Sequence, residues 1–532
     1  MNTLYGKFLP SIWLFLFFVA LYFLSMGGHL YSADNEVKGL ITEGIVERHS
    51  VSLPRIEMMY MTPGRDGLSY SPFPIGTSIT MIPFYLVGDG LAHLFPSLPR
   101  EIVIEFSYSM INSIVTALTC VILFATSRLL GFSPRTSIYT SLIYGLCTIA
   151  WPYSKTSWSE PQATLCALIG LYGGLRYTVT RKLFWMVLAG AISGYGLITK
   201  YEIAIQILLI YALVLYCFLH SRTLSWKLFF KISFAFGTPL LLADSIILYY
   251  NYLRFDSFFA FSHYTATAAL HMQQSSPILD SLEGIIVGVY QHLFSTGKGI
   301  LLFSPPLLLF YWAIKALWPL HRPLALFSIA LPTLFFLIAG SAWHVSFMAW
   351  GERYLFSLTP FLILPLSALI AKIVDYKELY MKKSLVFLIA LGACVQILGV
   401  AVSFQTTLDK MLYDNDIVDV QLLSYDPEYS PVLLNFKEMA DRMSKVGDLF
   451  VHGSEYIINE KNMTSEETLL IDPRQKRHRD LIRFNTFDLW FFYMYFLKLP
   501  VVLILIPLCL ISITIFISVK QLRHYLKIQI QE

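Results

Sequence analysis

The sequence predicts an all-α polytopic membrane protein with about twelve transmembrane helices, interfacial helices in its first external loop and a small C-terminal extracytoplasmic segment. Its 532 residues are 56% hydrophobic and only 14% charged, and the mean hydropathy is +0.60. In soluble proteins about a quarter of all residues are charged, so this composition is typical of an integral membrane protein. The net charge of +4 is small and gives no reason to expect a nucleic-acid partner.

The predicted spans follow from helix geometry. A helix rises about 1.5 Å per residue and the hydrocarbon core is about 30 Å thick, so each span needs roughly 20 mostly apolar residues. The apolar runs assigned as spans lie at residues 8–27, 103–129, 135–151, 161–179, 183–199, 201–219, 229–251, 299–317, 323–341, 354–372, 384–403 and 489–518.

The distribution of basic residues orients these spans. Short loops rich in Lys and Arg stay on the cytoplasmic side of a membrane, and clusters such as "RYTVTRK" and "KIVDYKELYMKK" alternate with the acidic loops. We therefore expect both termini in the cytoplasm. The external side then receives four pieces, which are residues 28–102, the turn "YSKTSWSE", residues 251–298 and residues 403–488.

The first external loop predicts two helices that lie in the membrane interface. Apolar residues from Val37 to Ile45 recur at helical spacing, with Lys38 among the charged residues of the other faces, which is typical of an amphipathic helix. The segment "IGTSITMIPFYLVGDGLAHLF" has the length of a span. Its proline and its Gly-Asp-Gly break favour a surface-lying helix instead.

Two carboxylates, Asp34 and Glu36, open the first of these helices in the stretch "YSADNEVKGL". One interpretation is structural: Asp34 caps the helix, and the negative charge of Glu36 interacts favourably with the positive end of the helix dipole. The alternative is functional, because acidic groups beside a membrane are costly unless they are solvated, paired or used. A carboxylate at the mouth of the bundle can take a proton from a hydroxyl as a general base.

The short external turn "WPYSKTSWSEPQ" is a second candidate site. Glu160 before a proline is explained by helix capping alone. However, Lys155, Trp151 and Trp158 converge on the same turn. Aromatic rings stack on the apolar faces of sugars and charged groups bind hydroxyls or phosphate, so the turn also fits a sugar-binding pocket.

The stretch "SAWHVSFMAWGERYLFSLTP" is a third candidate, with His344, Glu352, Arg353 and Tyr354 at the external start of a span. Interfacial aromatic residues explain the tryptophans. They do not explain Arg353, because a guanidinium at this position needs an internal partner. Its paired N–H donors suit a phosphate. His344 is either a hydrogen-bonded core residue or a ligand.

Two weaker signals complete the set of candidate binding residues. Lys298 lies between glycines in "STGKGILLFSPPLL", where an ammonium and backbone amides can hold a phosphate. The stretch lacks the full spacing of a phosphate-binding loop. Tyr70 lies in the proline-rich loop "GRDGLSYSPFPIG" beside the amphipathic helix.

The order of these pieces resembles the GT-C superfamily of polytopic glycosyltransferases, and within it bacterial lipid-carrier-dependent enzymes related to the aminoarabinose transferase and protein mannosyltransferase groups. The segments that carry the resemblance are "SADNE", "DGLSYSPFPIGTSITMIPFYLVG", "SWSEPQATLCALIGLY", "STGKGILLFSPPLLL" and "WGERYLFSLTPFL". The resemblance implies a GT-C-like transmembrane catalytic domain at residues 1–403. Residues 404–488 would form an extracytoplasmic cap segment, and residues 489–532 the last transmembrane helix with a cytoplasmic tail.

The resemblance also implies an activity. The enzyme would move a hexosyl or pentosyl group from a polyprenyl-phosphate donor to a hydroxyl of a glycan, lipid or protein acceptor, on the periplasmic or outer face of a bacterial inner membrane. Asp34 would be the base, while Glu36, Glu160 and Arg353 position sugar or phosphate and Lys298 contacts phosphate. Asn35 replaces the second acid of the adjacent Asp-Glu pair frequent in the family, which leaves a divalent metal cofactor open.

A transporter or flippase of a lipid-linked saccharide or an organic anion is the alternative. Such a protein needs intramembrane charges along a central path, for which the sequence offers Asp244, Lys200 and Glu202. A noncatalytic assembly protein of the cell envelope is a third interpretation, in which Asp34 is dispensable.

Overall fold

A computed structural model describes residues 2–54, 62–96, 98–260, 282–339, 349–376, 379–404, 425–452, 486–496 and 499–531. The chain is helical over most of these residues, as the sequence predicts. The helices, numbered in chain order, are α1 Asn2–Ser25, α2 Ala33–Glu43, α3 Gly76–Leu94, α4 Arg100–Leu129, α5 Pro134–Cys147, α6 Ala150–Tyr153, α7 Ser159–Thr180, α8 Phe184–Thr199, α9 Ala204–His220, α10 Trp226–Phe255, α11 Leu282–Phe294, α12 Ile300–Phe303, α13 Phe310–Leu317, α14 Arg322–Ala339, α15 Thr359–Ile363, α16 Leu366–Tyr376, α17 Leu379–Ala401, α18 Pro431–His452, α19 Trp490–Phe496 and α20 Val501–Gln531.

Short helical turns of other types join several of these helices. A π-helical turn continues α2, and the remaining turns are 3-10 helices. They lie at Gly44–Arg48, Arg65–Gly67, Tyr201–Ile203, Pro305–Leu309, Phe356–Leu358 and Pro427–Tyr429.

Six stretches of helix in the described residues are long and apolar enough to cross a membrane, so the protein is a polytopic membrane protein. They are Arg100–Leu129, Tyr201–His220, Trp226–Phe255, Phe356–Val374, Met381–Ala401 and Val501–Lys527. Each overlaps a predicted span. Shorter apolar helices such as Leu9–Ser25 and Phe184–Thr199 occupy other predicted spans, and the total of about twelve stays a prediction.

The last span differs from the prediction. The apolar run from residue 489 does not form one helix, because α19 ends at Phe496 and α20 begins at Val501, just after Pro500. Proline cannot donate the backbone hydrogen bond that a continuous helix needs, and it disfavours the helical conformation of the residue before it. The run therefore divides into a short helix and a long one.

The first external loop forms the two predicted helices, α2 and α3, and they pack against each other. It also contains a small antiparallel sheet that the sequence did not predict, with strands β1 Ser52–Leu53, β2 Thr62–Pro63 and β3 Ser69–Tyr70. The order is β1-β3-β2, and Tyr70 pairs with both Ser52 and Thr62. Strands of two residues are too short to show an alternating hydrophobic pattern.

Close helix packing brings the ends of α7 and α8 together on one side of the bundle. The two helices form a hairpin, and α8 also packs on α10. Gly190 permits this approach, because a Cβ atom there would lie 2.2 Å from the carbonyl oxygen of Phe236. The α7–α8 hairpin places Glu160, at the start of α7, beside Lys200, just after α8.

Candidate functional site

Arg353 joins the two carboxylates that the sequence singled out most strongly. Its Nε donates to Oε1 of Glu160 at 2.5 Å, and its Nη2 donates to Oδ2 of Asp34 at 2.9 Å. The Asp34 and Arg353 side chains are 15% and 19% exposed, whereas Glu160 is buried. The three predicted residues thus meet at one site that is partly open to solvent. We call Asp34, Lys38, Glu160, Lys200 and Arg353 the arginine cluster.

The capping interpretation of Asp34 is wrong. Ser32 is the N-cap residue of α2, and no side chain caps that helix end. Instead, the Ser32 hydroxyl accepts a hydrogen bond from Nε1 of Trp158 at 2.9 Å. Asp34, in the first turn of the helix, pairs with Arg353 instead.

The capping interpretation of Glu160 is wrong as well. Trp158 is the N-cap residue of α7 and makes no side-chain capping bond. Glu160 accepts from Arg353 and from Nζ of Lys200 at 2.7 Å, both through Oε1. Its second oxygen, Oε2, is buried and has no hydrogen-bond partner within the described part of the chain. The carboxylate therefore retains an acceptor for a further group.

Two lysines that were not among the predicted site residues complete the cluster. Lys200 binds Glu160 and lies 3.4 Å from Oε2 of Glu202. Lys38 is only 2% exposed, although its helical pattern placed it on a polar face. Its ammonium lies 4.8 Å from the ring centroid of Phe73, and none of the described residues forms a hydrogen bond or ion pair with it. The sequence feature that could have identified Lys38 is its position one helical turn after Asp34, which puts the two side chains on the same face of the helix.

The pKa values of Asp34 and Lys38 are both lowered, but for different reasons. Burial would raise the pKa of the Asp34 carboxyl, but the guanidinium of Arg353 and the ammonium of Lys38 outweigh burial and lower it below its ordinary value. Burial lowers the pKa of Lys38 to about 8, although Asp34 and Glu160 favour its charged form. Asp34 is therefore ionised at neutral pH, and Lys38 titrates near pH 8.

Aromatic side chains support the cluster from within the fold. The Arg353 guanidinium carbon lies 4.6 Å from the ring centroid of Trp158, which is fully buried. Tyr153 packs edge-on against Trp158 at 4.9 Å. Trp151 instead donates from Nε1 to the Ser25 hydroxyl at 3.0 Å. Trp158 thus orients Arg353 as a supporting surface of the site.

Lys155 lies in a different buried group. Its ammonium pairs with Oδ2 of Asp488 at 2.9 Å and also donates to the carbonyl oxygens of Val400 and Asp488. Every one of these bonds is internal to the fold. The predicted contact between Lys155 and substrate stays a prediction.

Glu352 and Lys298 belong to a further buried group, next to Arg353 in the chain. Oε2 of Glu352 lies 2.7 Å from Nδ1 of His292, and Oε1 accepts from the backbone N–H of Tyr354 at 3.1 Å. Lys298 is 2% exposed and is attracted electrostatically to Glu352. Tyr354 itself reaches the arginine cluster, because Nζ of Lys200 lies 5.4 Å from its ring centroid.

The remaining predicted residues lie elsewhere. Glu36 is half-buried in the first turn of α2. Tyr70 is buried in the small sheet and packs edge-on against Phe255 at 6.2 Å. His344 lies outside the described residues.

The acidic groups of the cluster do not form a metal site by themselves. Among the residues that the structure describes, no three His, Cys, Asp or Glu side chains come close enough to hold a metal ion. Asp34 and Glu160 both bind the Arg353 guanidinium, and the residue next to Asp34 is Asn35. This set of donors does not fit a divalent cation.

Comparison with known proteins gives one family and several structures. The sequence profile of a family described as mannosyltransferase (PIG-V) matches residues 79–267. This range includes Glu160 and Lys200 but neither Asp34 nor Arg353. A search of curated proteins gives no match.

Two solved structures can be aligned with most of this chain at low sequence identity. ArnT from Cupriavidus metallidurans bound to undecaprenyl phosphate is 15% identical, with 93% of this chain and 85% of that chain covered and a TM-score of 0.43. The Archaeoglobus fulgidus oligosaccharyltransferase in its apo form is 12% identical, with 89% of this chain covered and a TM-score of 0.45; the chain spans 62% of its length. Over residues 79–267 the chain is similar to the mannosyltransferase (PIG-V) family, which confirms its resemblance to polytopic membrane glycosyltransferases.

Proposed function

We propose that the protein is a membrane glycosyltransferase that moves a sugar from a polyprenyl-phosphate donor to an acceptor hydroxyl on the extracytoplasmic face, with Asp34 as general base. The similarity to a mannosyltransferase family supports the reaction class. The observation that carries the assignment of residues is the bridge from Arg353 to both Asp34 and Glu160. It supports the proposal because the carboxylate assigned as base directly contacts the guanidinium assigned to the donor phosphate.

The cations of the cluster suit the phosphate of the donor. Arg353 presents a guanidinium that can bind two phosphate oxygens in parallel. Lys38 adds a buried ammonium that has no hydrogen-bond or ion-pair partner among the described residues. Asp34 and Glu160 act on this ammonium only through their electric field, so a phosphate beside Lys38 would give it a direct anionic partner. The donor's isoprenoid tail would lie among the apolar helices.

The reaction then needs one proton transfer. The acceptor hydroxyl gives its proton to the Asp34 carboxylate while its oxygen bonds to the anomeric carbon of the sugar. The bond from that carbon to the phosphate oxygen breaks, and its electron pair leaves with the lipid phosphate. Arg353 and Lys38 stabilise the departing charge, so the leaving group needs no acid. A positioned base contributes about a hundred- to ten-thousand-fold, and fixed cations stabilise the charge that develops.

Arg353 links the binding of the donor phosphate to the strength of Asp34 as a base. Without donor it binds Asp34 and lowers the pKa of that carboxyl, which weakens Asp34 as a base. A donor phosphate that takes over the Nη2 group of Arg353 would release Asp34 and raise its pKa. The base would therefore become stronger when the donor is in place.

The arrangement of charges gives the transporter interpretation little support. Asp244 is exposed on the surface of α10. Lys200 pairs with Glu160 and Glu202 at the cluster. Neither Asp244 nor Lys200 therefore lies on a charged path through the middle of the bundle, as far as the described residues define it.

A transfer assay with matched variants tests the proposal. Purified protein would be incubated with a panel of polyprenyl-phosphate-linked hexoses and pentoses and a mixed acceptor fraction from cell envelopes. We expect Asp34→Asn to lower transfer by about a hundred- to ten-thousand-fold, with normal abundance and membrane insertion. Asp66→Asn is the control, because Asp66 is an exposed acid of the same loop. Full activity of the Asp34→Asn variant would rule out Asp34 as the general base.

A further inference from the structure

Asp488 is the centre of a second buried charged group. Its Oδ1 lies 2.8 Å from Nε2 of His29 and accepts from the Tyr493 hydroxyl at 2.8 Å. Its Oδ2 accepts from the Tyr31 hydroxyl at 2.8 Å and pairs with Nζ of Lys155 at 2.9 Å. Asp488 is fully buried. We call these five residues the aspartate anchor.

The anchor ties distant segments of the chain to one point. His29 and Tyr31 come from the first external loop, Lys155 from the short turn before α7, and Tyr493 from α19. Lys155 adds a bond of 2.7 Å to the carbonyl oxygen of Val400, near the end of α17. A carboxylate with four partners in the protein interior is held in one geometry, because any lost partner leaves a buried charge less compensated.

The anchor is connected to the arginine cluster through Tyr31. The next residue, Ser32, is the N-cap of α2, and its carbonyl accepts from the backbone N–H of Asn35 at 2.9 Å. Asp34 lies in that same first turn. A displacement of Tyr31 therefore moves the start of the helix that carries the base.

A second connection passes through aromatic rings. Phe404 lies 6.3 Å from the Tyr31 ring and 5.5 Å from the Trp158 ring, by centroids. Trp158 in turn supports Arg353 and donates to Ser32. Tyr31 of the anchor is thus linked through Phe404 to the ring that supports Arg353.

We propose that Asp488 is a positioning residue for the transfer reaction, and that it acts through the hydroxyl of Tyr31 to hold Asp34 in register with Arg353. The proposal rests on the proposed function. Asp488 lies in the segment that contributes no motif to the family resemblance. It gives the C-terminal part of the chain a role in catalysis without any contact with substrate.

The experiment compares Tyr31→Phe with Tyr493→Phe in the full-length protein. Each variant removes one phenol bond of 2.8 Å to the same carboxylate and keeps the ring, but only Tyr31 leads into α2. We expect similar losses of thermal stability and unchanged binding of polyprenyl phosphate in both. Only Tyr31→Phe should lower kcat, by roughly ten-fold, with little change in the KM for the donor.

The outcomes separate positioning from stability. Equal kcat values in the two variants would overturn the positioning role, since a merely structural bond affects both alike. Asp488→Asn is the second variant: it keeps the shape of the side chain and should lower kcat at least as much as Tyr31→Phe at a temperature where it stays folded. Wild-type protein that binds polyprenyl phosphate but transfers no sugar would overturn the proposed function, and the positioning role with it.

Discussion

The arginine cluster and the aspartate anchor contain similar residues but differ in how completely they are paired. In the anchor, each carboxylate oxygen of Asp488 contacts two polar partners, and every member is buried. In the arginine cluster, Oε2 of Glu160 has no hydrogen-bond partner among the described residues, Lys38 has no ion pair there, and Asp34 and Arg353 are partly exposed.

This difference indicates which group binds a ligand. Buried polar groups are nearly always hydrogen-bonded, so each exception calls for a reason. Local rules are broken mainly at functional sites, where a missing partner is supplied by substrate. We therefore propose that the satisfied cluster mainly stabilises the fold and that the incomplete one is the ligand-binding site.

Disruption of the anchor should give the largest effect on stability. Asp488→Asn removes one charge of the buried pair with Lys155, whose side chains are 0% and 2% exposed. Removal of one partner from a buried pair costs about 3–5 kcal/mol. We expect a clear fall in the midpoint of thermal unfolding.

The corresponding change in the arginine cluster is the comparison for that measurement. Asp34→Asn should shift the unfolding midpoint much less, because the Asp34 side chain is 15% exposed and solvent partly screens its pair with Arg353. An equal loss of stability in both variants would remove the distinction between anchor and site.

Donor binding should be the next most sensitive property. Arg353→Lys keeps the charge but replaces a fork of two parallel donors by a single ammonium. Since a hydrogen bond to a charged group contributes about 1.5–3 kcal/mol, we expect the Kd for polyprenyl phosphate to rise roughly ten- to hundred-fold. Binding to protein in nanodiscs measures it.

Arg65→Lys is the matched control for this change. Arg65 is an exposed arginine of the first external loop whose ion pairs are long, at 3.6 and 3.9 Å. Its substitution should leave the Kd unchanged. A wild-type Kd in Arg353→Lys would count against a phosphate contact.

The smallest expected effect is a dependence of donor binding on pH. The pKa of Lys38 is lowered to about 8, so its ammonium is charged below pH 8 and loses its proton above it. The affinity for polyprenyl phosphate should therefore be highest at pH 6–7 and fall by about five- to ten-fold as the pH rises through 8.

Lys38→Met identifies the group responsible. This variant should bind more weakly at pH 7 and lose the pH dependence around 8, because Asp34, Glu160 and Arg353 keep their charges in that range. A pH profile that survives in Lys38→Met would assign the titration to another group.

The sequence predicted the helical fold and the residues that meet at Arg353. Asp34, Glu160 and Arg353 come from three separated segments, which the pattern of basic loops assigns to one side of the membrane. Charged residues near membrane spans are usually paired or functional, so these three were reasonable partners for one another. The side assignment alone does not select them, because Lys155 and Lys298 share it and lie in other buried groups.

The same reasoning could not place the lysines. Lys155 and Lys298 are buried in other groups, while Lys38 and Lys200 lie in the cluster. A lysine side chain is long and flexible, so the position of its Cα in a loop does not determine which carboxylate its ammonium reaches. Asp488 was missed for a related reason, since its partners are up to 459 residues away.

The structure of the protein with polyprenyl phosphate tests the central claim most directly. We predict density for the phosphate within hydrogen-bond distance of Arg353 and Lys38, with the Asp34 carboxylate released from Arg353 and facing the bound headgroup. A phosphate bound elsewhere, with the Asp34–Arg353 pair intact and Lys38 still without an anionic partner, would contradict the account.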